Sequence, residues 1–464
     1  MIQISIASEI QRIKNNIAAA YSACESKGAD LPQLQNSNNL EGTIDSIPQG
    51  SGTVEQKDIN FYDYDGTRLY SFTFSEVASL SALPAIPSHH GLTTQGWNYT
   101  LSSIQSYASR SRKADVGATY ITDNGHTRLY MHVENAEYLQ PTITPVISGT
   151  LTLTIDWGDG TAPDVITQTN ACNHTWNFSS YPADVVIDIA PSGSGSFFLD
   201  TMQDAGIFVN NTKGMAYVKM LRKVEFGTNV SSAILLGNKM LEAVVIPRNI
   251  SSMTDGYIFR YCNSLAYVVI PDGVTSIGSF SFQYCSSLIG VSIPDSVTSI
   301  GNSVCNTCSS LEHIIIPDGV TSIGDEFLEG STLVKSIILS KELTSISYNT
   351  CYGCSLLTEI TIPDSVTSIL YNAFIGCSSL TEITIPDSVT SIGASAFNGC
   401  SGLFSVDVSR FTDPSAVPSL ANHNAFSSTP NNMVIYVADQ AMLNAFTSAT
   451  NWSYYASRFQ IKGE

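Results

Sequence analysis

In the stretch CSSLTEITIPDSVTSIGASAFNGC, residues 377–400, apolar positions recur at Leu380, Ile383, Ile385, Val389, Ile392, Ala396 and Phe397 between two cysteines. Leu380, Ile383 and Ile385 predict a short strand with its apolar face inward. Pro386 has no N–H and ends it. Val389 and Ile392 make a second inward pair, and ASAF predicts one tight helical turn. The preceding unit, CSLLTEITIPDSVTSILYNAFIGC at 354–377, is nearly the same. Cysteine stands at 262, 285, 308, 354, 377 and 400 and proline at 271, 294, 317, 363 and 386. Both series step by 23, with Ser331 and Ser340 in the two missing places. A constant period of this length predicts a solenoid, here over 216–410. One coil cannot bury its own apolar face, so stacked coils must form a ladder, in which the cysteines stack within reach of one another and are expected to be mostly free buried thiols.

The rest of the chain divides by pattern. Ile6, Ile10, Ile13, Ile17, Ala20 and Cys24 step by four and three. That spacing fits a coiled-coil seam, and equally an amphipathic helix docked on its own domain. Residues 1–47 are therefore read as a helical attachment or oligomerisation segment, and 48–56, PQGSGTVEQ, as a linker. Residues 57–140 are rich in hairpin signals, with Asp65-Gly66 and Asn124-Gly125 between alternating apolar runs. Short helices are expected in SEVASLSAL and GWNYTLSSIQSY. Residues 141–215 predict a small sandwich, and 411–464 a strand and helix that cap the ladder. The fold class is mainly β and multidomain.

Composition narrows the function. Of 464 residues 43% are hydrophobic and 13% charged, which suits a packed β protein rather than a disordered one. Lys+Arg 21 against Asp+Glu 40 gives a net charge of −19, which argues against nucleic acid and anionic membrane as partners. No apolar run is long enough to span a bilayer. The opening MIQISIASEIQRIKNN is interrupted by Glu9, Arg12 and Lys14, so no leader peptide is expected in it.

Three motifs invite chemistry. DYDGT, 63–67, has the spacing of a phosphatase nucleophile loop, with Asp63 as nucleophile and Asp65 as acid/base in a magnesium-dependent reaction. The flanking strand pattern reads instead as a hairpin. CNTC (305–308) and CYGC (351–354) have zinc-like spacing, but Cys305 and Cys351 occupy the slot that holds Phe259, Phe282, Phe374 and Phe397 in other coils. Asp156 and Asp159 in DWGDG are too few for a calcium site and read as a turn. No catalytic residue, metal site or cofactor is expected.

The repeat unit resembles the BspA-like class of leucine-rich repeats, whose pattern is close to LxxIxIPxxVTxIGxxAFxxCxx, over 238–410. The resemblance implies a curved right-handed solenoid of the kind found on bacterial or microbial surfaces and involved in binding. DWGDGT (156–161) with HTW (174–176) resembles the core of polycystic-kidney-disease (PKD) type Ig-like domains, with Trp176 where Tyr is usual. The stretches SEIQRIKNNIAAAYSACESKGA and FYDYDGTRLYSFTF resemble segments that precede such repeats in phage or prophage tail proteins of gut Firmicutes.

These resemblances imply a non-enzymatic recognition protein. The first expectation is a phage tail protein, receptor-binding or tail-fibre, whose solenoid binds a host cell-surface protein or glycan; the alternative is a bacterial cell-surface adhesin. Residues 6–24 are the candidate for homo-oligomerisation. On the concave sheet two columns are expected to face outward. One runs Val245, Val269, Ser292, Ile315, Ile338, Thr361, Thr384 and Asp407; the other Ala243, Tyr267, Gly290, His313, Ser336, Glu359, Glu382 and Ser405. They are either a binding strip, centred on Tyr267, Val269, His313, Ile315, Ile338, Glu359 and Glu382, or a tolerated β-surface.

Overall fold

The computed structural model describes residues 58–135, 141–143, 145–200 and 220–463. The helix expected at 6–24 and the linker at 48–56 lie outside them. Residues from Lys57 onward form one compact unit.

The chain begins with β1 (Ile59–Tyr62) and β2 (Arg68–Phe72), joined by DYDGT. Then come α1 (Phe74–Ala78), β3 (Leu92–Trp97), α2 (Leu101–Ser109) and β4 (Ala114–Thr122). Thr73 starts α1 with a capping box to Glu76, and Thr100 caps α2 by accepting from the Ser103 amide. The sheet order is β2-β1-β4-β3; β1 is antiparallel to β2 and parallel to β4. Ile59, Phe61, Val116 and Ala118 of this sheet share a core with Val77, Ile104 and Tyr107 of the helices. β4 is buried on nearly every residue. Ala114, Val116, Ala118 and Tyr120 point into this core, while Asp115 and Gly117 point the other way, onto the solenoid.

Next are β5 (Thr127–Val133), β6 (Thr142–Ile143), β7 (Val146–Gly149), β8 (Thr152–Asp156), β9 (Asp164–Ile166) and β10 (Cys172–Asn173). They are followed by β11 (Ala183–Ser192), β12 (Gly195–Asp200), β13 (Leu221–Glu225), β14 (Val230–Ile234) and β15 (Ala243–Val245). One sheet runs β15-β13-β5-β11-β8-β9 and another β14-β12-β7. The sequence placed 127–133 with the hairpins before residue 140. Instead β5 pairs on one edge with β11 and on the other with β13. The boundaries drawn at 140 and 215 therefore cut through a single sheet. Because β13 is parallel to β15, that sheet runs straight into the repeats.

The solenoid has about ten turns. Each coil carries a first strand, such as Glu382–Thr384, and a second, such as Ser391–Ile392. Both pair in parallel with their counterparts 23 residues away, for example Ser368 with Ser391. The remainder of the coil is hydrogen-bonded turns rather than helix. Phenylalanines stack along the axis, Phe374 on Phe397 at 5.2 Å and Phe397 on Phe426 at 5.2 Å. Cys305 and Cys351 occupy that same buried slot.

The cysteine at each join does more than fill space. Its thiol donates to a carbonyl one coil back: Cys308 to Phe282, Cys377 to Cys351 and Cys400 to Phe374, at 3.1–3.2 Å. Ser331, which replaces cysteine once, keeps the bond with its hydroxyl on the Cys305 carbonyl at 2.7 Å. The slot needs a small buried donor, and both residues supply one.

The C-terminal end is closed by strand Val434–Val437, α3 (Gln440–Ser448), a 3-10 turn at Trp452–Arg458 and strand Phe459–Ile461. Trp452 and Tyr455 are buried, and the Trp452 indole donates to the Pro418 carbonyl. Ladder apolar groups that would otherwise meet water are covered.

Candidate functional site

The two outward columns of the first strands are not equally outward. The β1–β4 domain lies on them from Val245 to His313. Tyr267, expected to be exposed, is 3% accessible, and its ring stacks on Tyr62 at 4.9 Å. Val269 is buried against Gly117; a Cβ there would come within 2.4 Å of the valine methyl, so only glycine lets the two surfaces meet. Ile315, also expected to be exposed, is buried.

Polar groups fix the register of this contact. Asn98 donates to the Ile270 carbonyl at 3.0 Å and the Ser292 hydroxyl at 2.9 Å, and accepts from the Gly117 amide at 2.7 Å. Ser292 donates in turn to the Asp115 carbonyl at 2.6 Å. Tyr99 donates to the Ile293 carbonyl and Tyr107 to Asp295. Arg112 donates to the carbonyls of Ile316 and Leu339 and pairs with Asp318 at 3.1 Å. Buried carbonyls beyond the strand ends are thereby satisfied by side chains from another domain.

His313 is half-buried here, its Nε2 2.9 Å from Asp115. The hydrogen bond to Asp115 raises its pKa above the ordinary histidine value, and burial opposes this. The contact ties this point of the solenoid face to β4.

Beyond Ile315 the face opens, although Arg112 still reaches the Leu339 carbonyl. Ile338 and Ser336 are half-buried; Glu359, Thr361, Glu382 and Thr384 are exposed. Neither glutamate has an ion-pair partner among the described residues. Of the seven residues named from the sequence, Tyr267, Val269 and Ile315 are thus corrected to internal contacts. His313 sits at their margin, and Ile338, Glu359 and Glu382 lie along the uncovered strip.

The tempting motifs resolve into local structure. β1 and β2 pair as an antiparallel hairpin, with Ile59 opposite Phe72. Asp63 accepts from the Tyr64 amide and contacts His89 at 2.8 Å, and Asp65 accepts from the Thr67 amide. In DWGDG, Asp156 accepts from the Gly158 amide, while Asp159 accepts from Thr161 and contacts His174 at 2.8 Å. Trp157 stacks on His174 at 4.9 Å, and the Trp176 indole donates to the Trp157 carbonyl. These carboxylates serve turns and the sandwich core.

Residues 228–356 and 328–440 match the model of the BspA type leucine rich repeat region, in six copies. The match lies within the repeats. The chain is also similar to solved structures of bacterial proteins. A leucine-rich repeat protein from Eubacterium ventriosum is 22% identical over 46% of this chain, with a TM-score of 0.36, and this chain spans 62% of it. One from Bacteroides ovatus is 19% identical, covering 57% of this chain and 87% of that one, with a TM-score of 0.30. A leucine rich cell surface protein from Faecalibacterium prausnitzii is 21% identical, covering 52% and 70%, with a TM-score of 0.30. No curated protein matches the chain. Among the described residues no helix is long and apolar enough to cross a membrane.

Proposed function

We propose that this chain is a non-enzymatic surface-recognition protein, of the kind expected of a bacterial cell-surface adhesin. Its solenoid contacts a host cell-surface protein or glycan through the first-strand face of the C-terminal coils. One observation carries this reading. The coil interior is constant, the N-terminal half of the outward columns is occupied by the chain's own domain, and the strip from Ile338 through Glu359, Thr361, Glu382 and Thr384 is left open. Outward residues on a fixed scaffold are free to suit a ligand, because changing them leaves the ladder intact. Unpaired glutamates flanked by threonines suit hydroxylated or basic groups.

The test is binding of the full chain to a glycan array and to host cells, with a Glu359→Lys/Glu382→Lys double variant. Binding should fall tenfold or more with the melting temperature unchanged. Binding equal to wild type would leave the strip a plain β-surface. The bacterial-surface reading is preferred to a virion tail because the repeat family and a cell-surface structural neighbour support it. The tail reading rests on the N-terminal resemblance alone. Immunogold labelling of cells and of virions separates the two.

A further inference from the structure

On the turn side of the solenoid, away from the first-strand face, the first coils break the rule the later ones follow. Tyr261 and Tyr284 adopt left-handed backbone, φ 63° and 62°, in the slot that Gly330, Gly353, Gly376 and Gly399 fill further on at 74–75°. Tyr257 and Phe280, at φ 55° and 63°, do the same in the slot later held by Ser303, Glu326, Asn349, Asn372 and Ser395. Large side chains are disfavoured in this conformation, and such strain persists where neighbouring structure holds it. Here the rings hold one another. Tyr257 stacks on Phe280 at 4.9 Å and 12°, and Tyr261 on Tyr284 at 4.8 Å and 1°.

Arg260 lies between the two stacks, its guanidinium 4.8–5.9 Å from all four ring centroids. Among the described residues it has no carboxylate partner and its side chain donates to no acceptor; Nε is buried and unpaired. By contrast Arg110, Arg112, Arg128 and Arg410 sit on carboxylates, and the side chains of Arg248 and Arg458 donate to the Trp97 carbonyl and the Thr429 hydroxyl. Tyr261 is 38% exposed. In the next coil the two slots hold only Ser303 and Thr307, so the aromatic wall ends at a step one ring deep.

We propose that this patch is a second binding site, for a glycan bearing isolated carboxylates such as a hexuronate or sialate. The C–H face of a pyranose is apolar and stacks on an aromatic ring. A guanidinium oriented by cation–π contacts and lacking an acceptor offers a planar fork that matches a carboxylate. The negative field of the whole chain disfavours dense polyanions, which excludes nucleic acid at a single cation. The site is independent of the open strip of the C-terminal coils.

The test uses the full chain and isothermal titration with hexuronate oligosaccharides and sialyllactose, each beside its methyl ester. Wild type should bind at least one acid form, and tenfold or more above its ester. Arg260→Gln should abolish that preference. Tyr284→Gly installs the residue that later coils carry at this slot, so the melting temperature should hold or rise while binding falls at least tenfold. Glu359→Lys/Glu382→Lys should leave acid binding unchanged, which separates failure here from failure of the strip. No binding of any acid form, or binding by Arg260→Gln with the preference intact, overturns the proposal.

Discussion

Asn98→Ala tests whether the N-terminal domain is locked onto the solenoid. The side chain is 1% exposed and spans the seam, donating to Ile270 and Ser292 and accepting from Gly117. Truncation strands the Gly117 N–H and the Ile270 carbonyl, while Ser292 keeps its bond to Asp115. Each stranded buried group costs about 1–3 kcal/mol. Two give about 4 kcal/mol, a factor of roughly 1,000 in the opening equilibrium of the seam. Native-state hydrogen exchange reads this directly. Ile270, whose amide donates to the Ser292 carbonyl, should lose about three orders of magnitude of protection. Amides of the open coils, such as Ile385, should not change. A loss under tenfold at Ile270 would mean that the contact is loose and the covered strip accessible, and would restore Tyr267 as a ligand-facing residue.

Three further outcomes are expected. His313 has a raised pKa through Asp115, so its contribution is whole below about pH 6.5 and fades as pH rises through the higher native value; the stability difference between wild type and His313→Gln should shrink between pH 6 and 8, and a flat difference would contradict the pairing. Burial pushes the Cys400 thiol up to about 12 and raises Cys262, Cys285 and Cys377 as well; these cysteines should label only on unfolding, and fast native labelling would contradict the ladder. If residues 6–24 form a coiled-coil seam, light scattering should show a dimer or trimer for the full chain and a monomer for a chain starting at 57; a monomeric full chain would exclude it.

The ladder was legible because its cause is local and repeated. Leu380, Ile383, Ile385, Val389 and Ile392 alternate with polar positions at one spacing in every coil, and all are buried. The DYDGT hairpin was legible for the same reason, since turn and flanking strands all lie between Ile59 and Phe72. The covered strip was not. Asn98 and Ser292 are 194 residues apart, and Asp115 and His313 are 198. No short-range pattern marks Tyr267 as internal, because β-branched and aromatic residues suit an exposed strand and an interdomain contact alike. β4, ADVGATYIT, alternates Ala114, Val116, Ala118 and Tyr120 with Asp115, Gly117 and Thr119 as a strand with one wet face would, yet both of its faces are buried. The misplacement of β5 has a related origin, since a hairpin-like turn at Asn124-Gly125 says nothing about which sheet its second arm will join.

The clasp ends near Leu339 and the cap, which begins after residue 410, pairs Ser419 with Ser391 and Val434 with Ser405 of the last coil, so that a stretch of plain repeats lies between the two. That stretch is free to vary in number. The units ending at Cys377 and Cys400 are so nearly alike that unequal recombination between their coding segments would add or delete one coil in register. Each event would move the cap by one strand spacing, about 4.8 Å, without altering the domain seam or the aromatic wall at the other end. The protein thus has an adjustable reach, set by copy number rather than by the chemistry of either terminus.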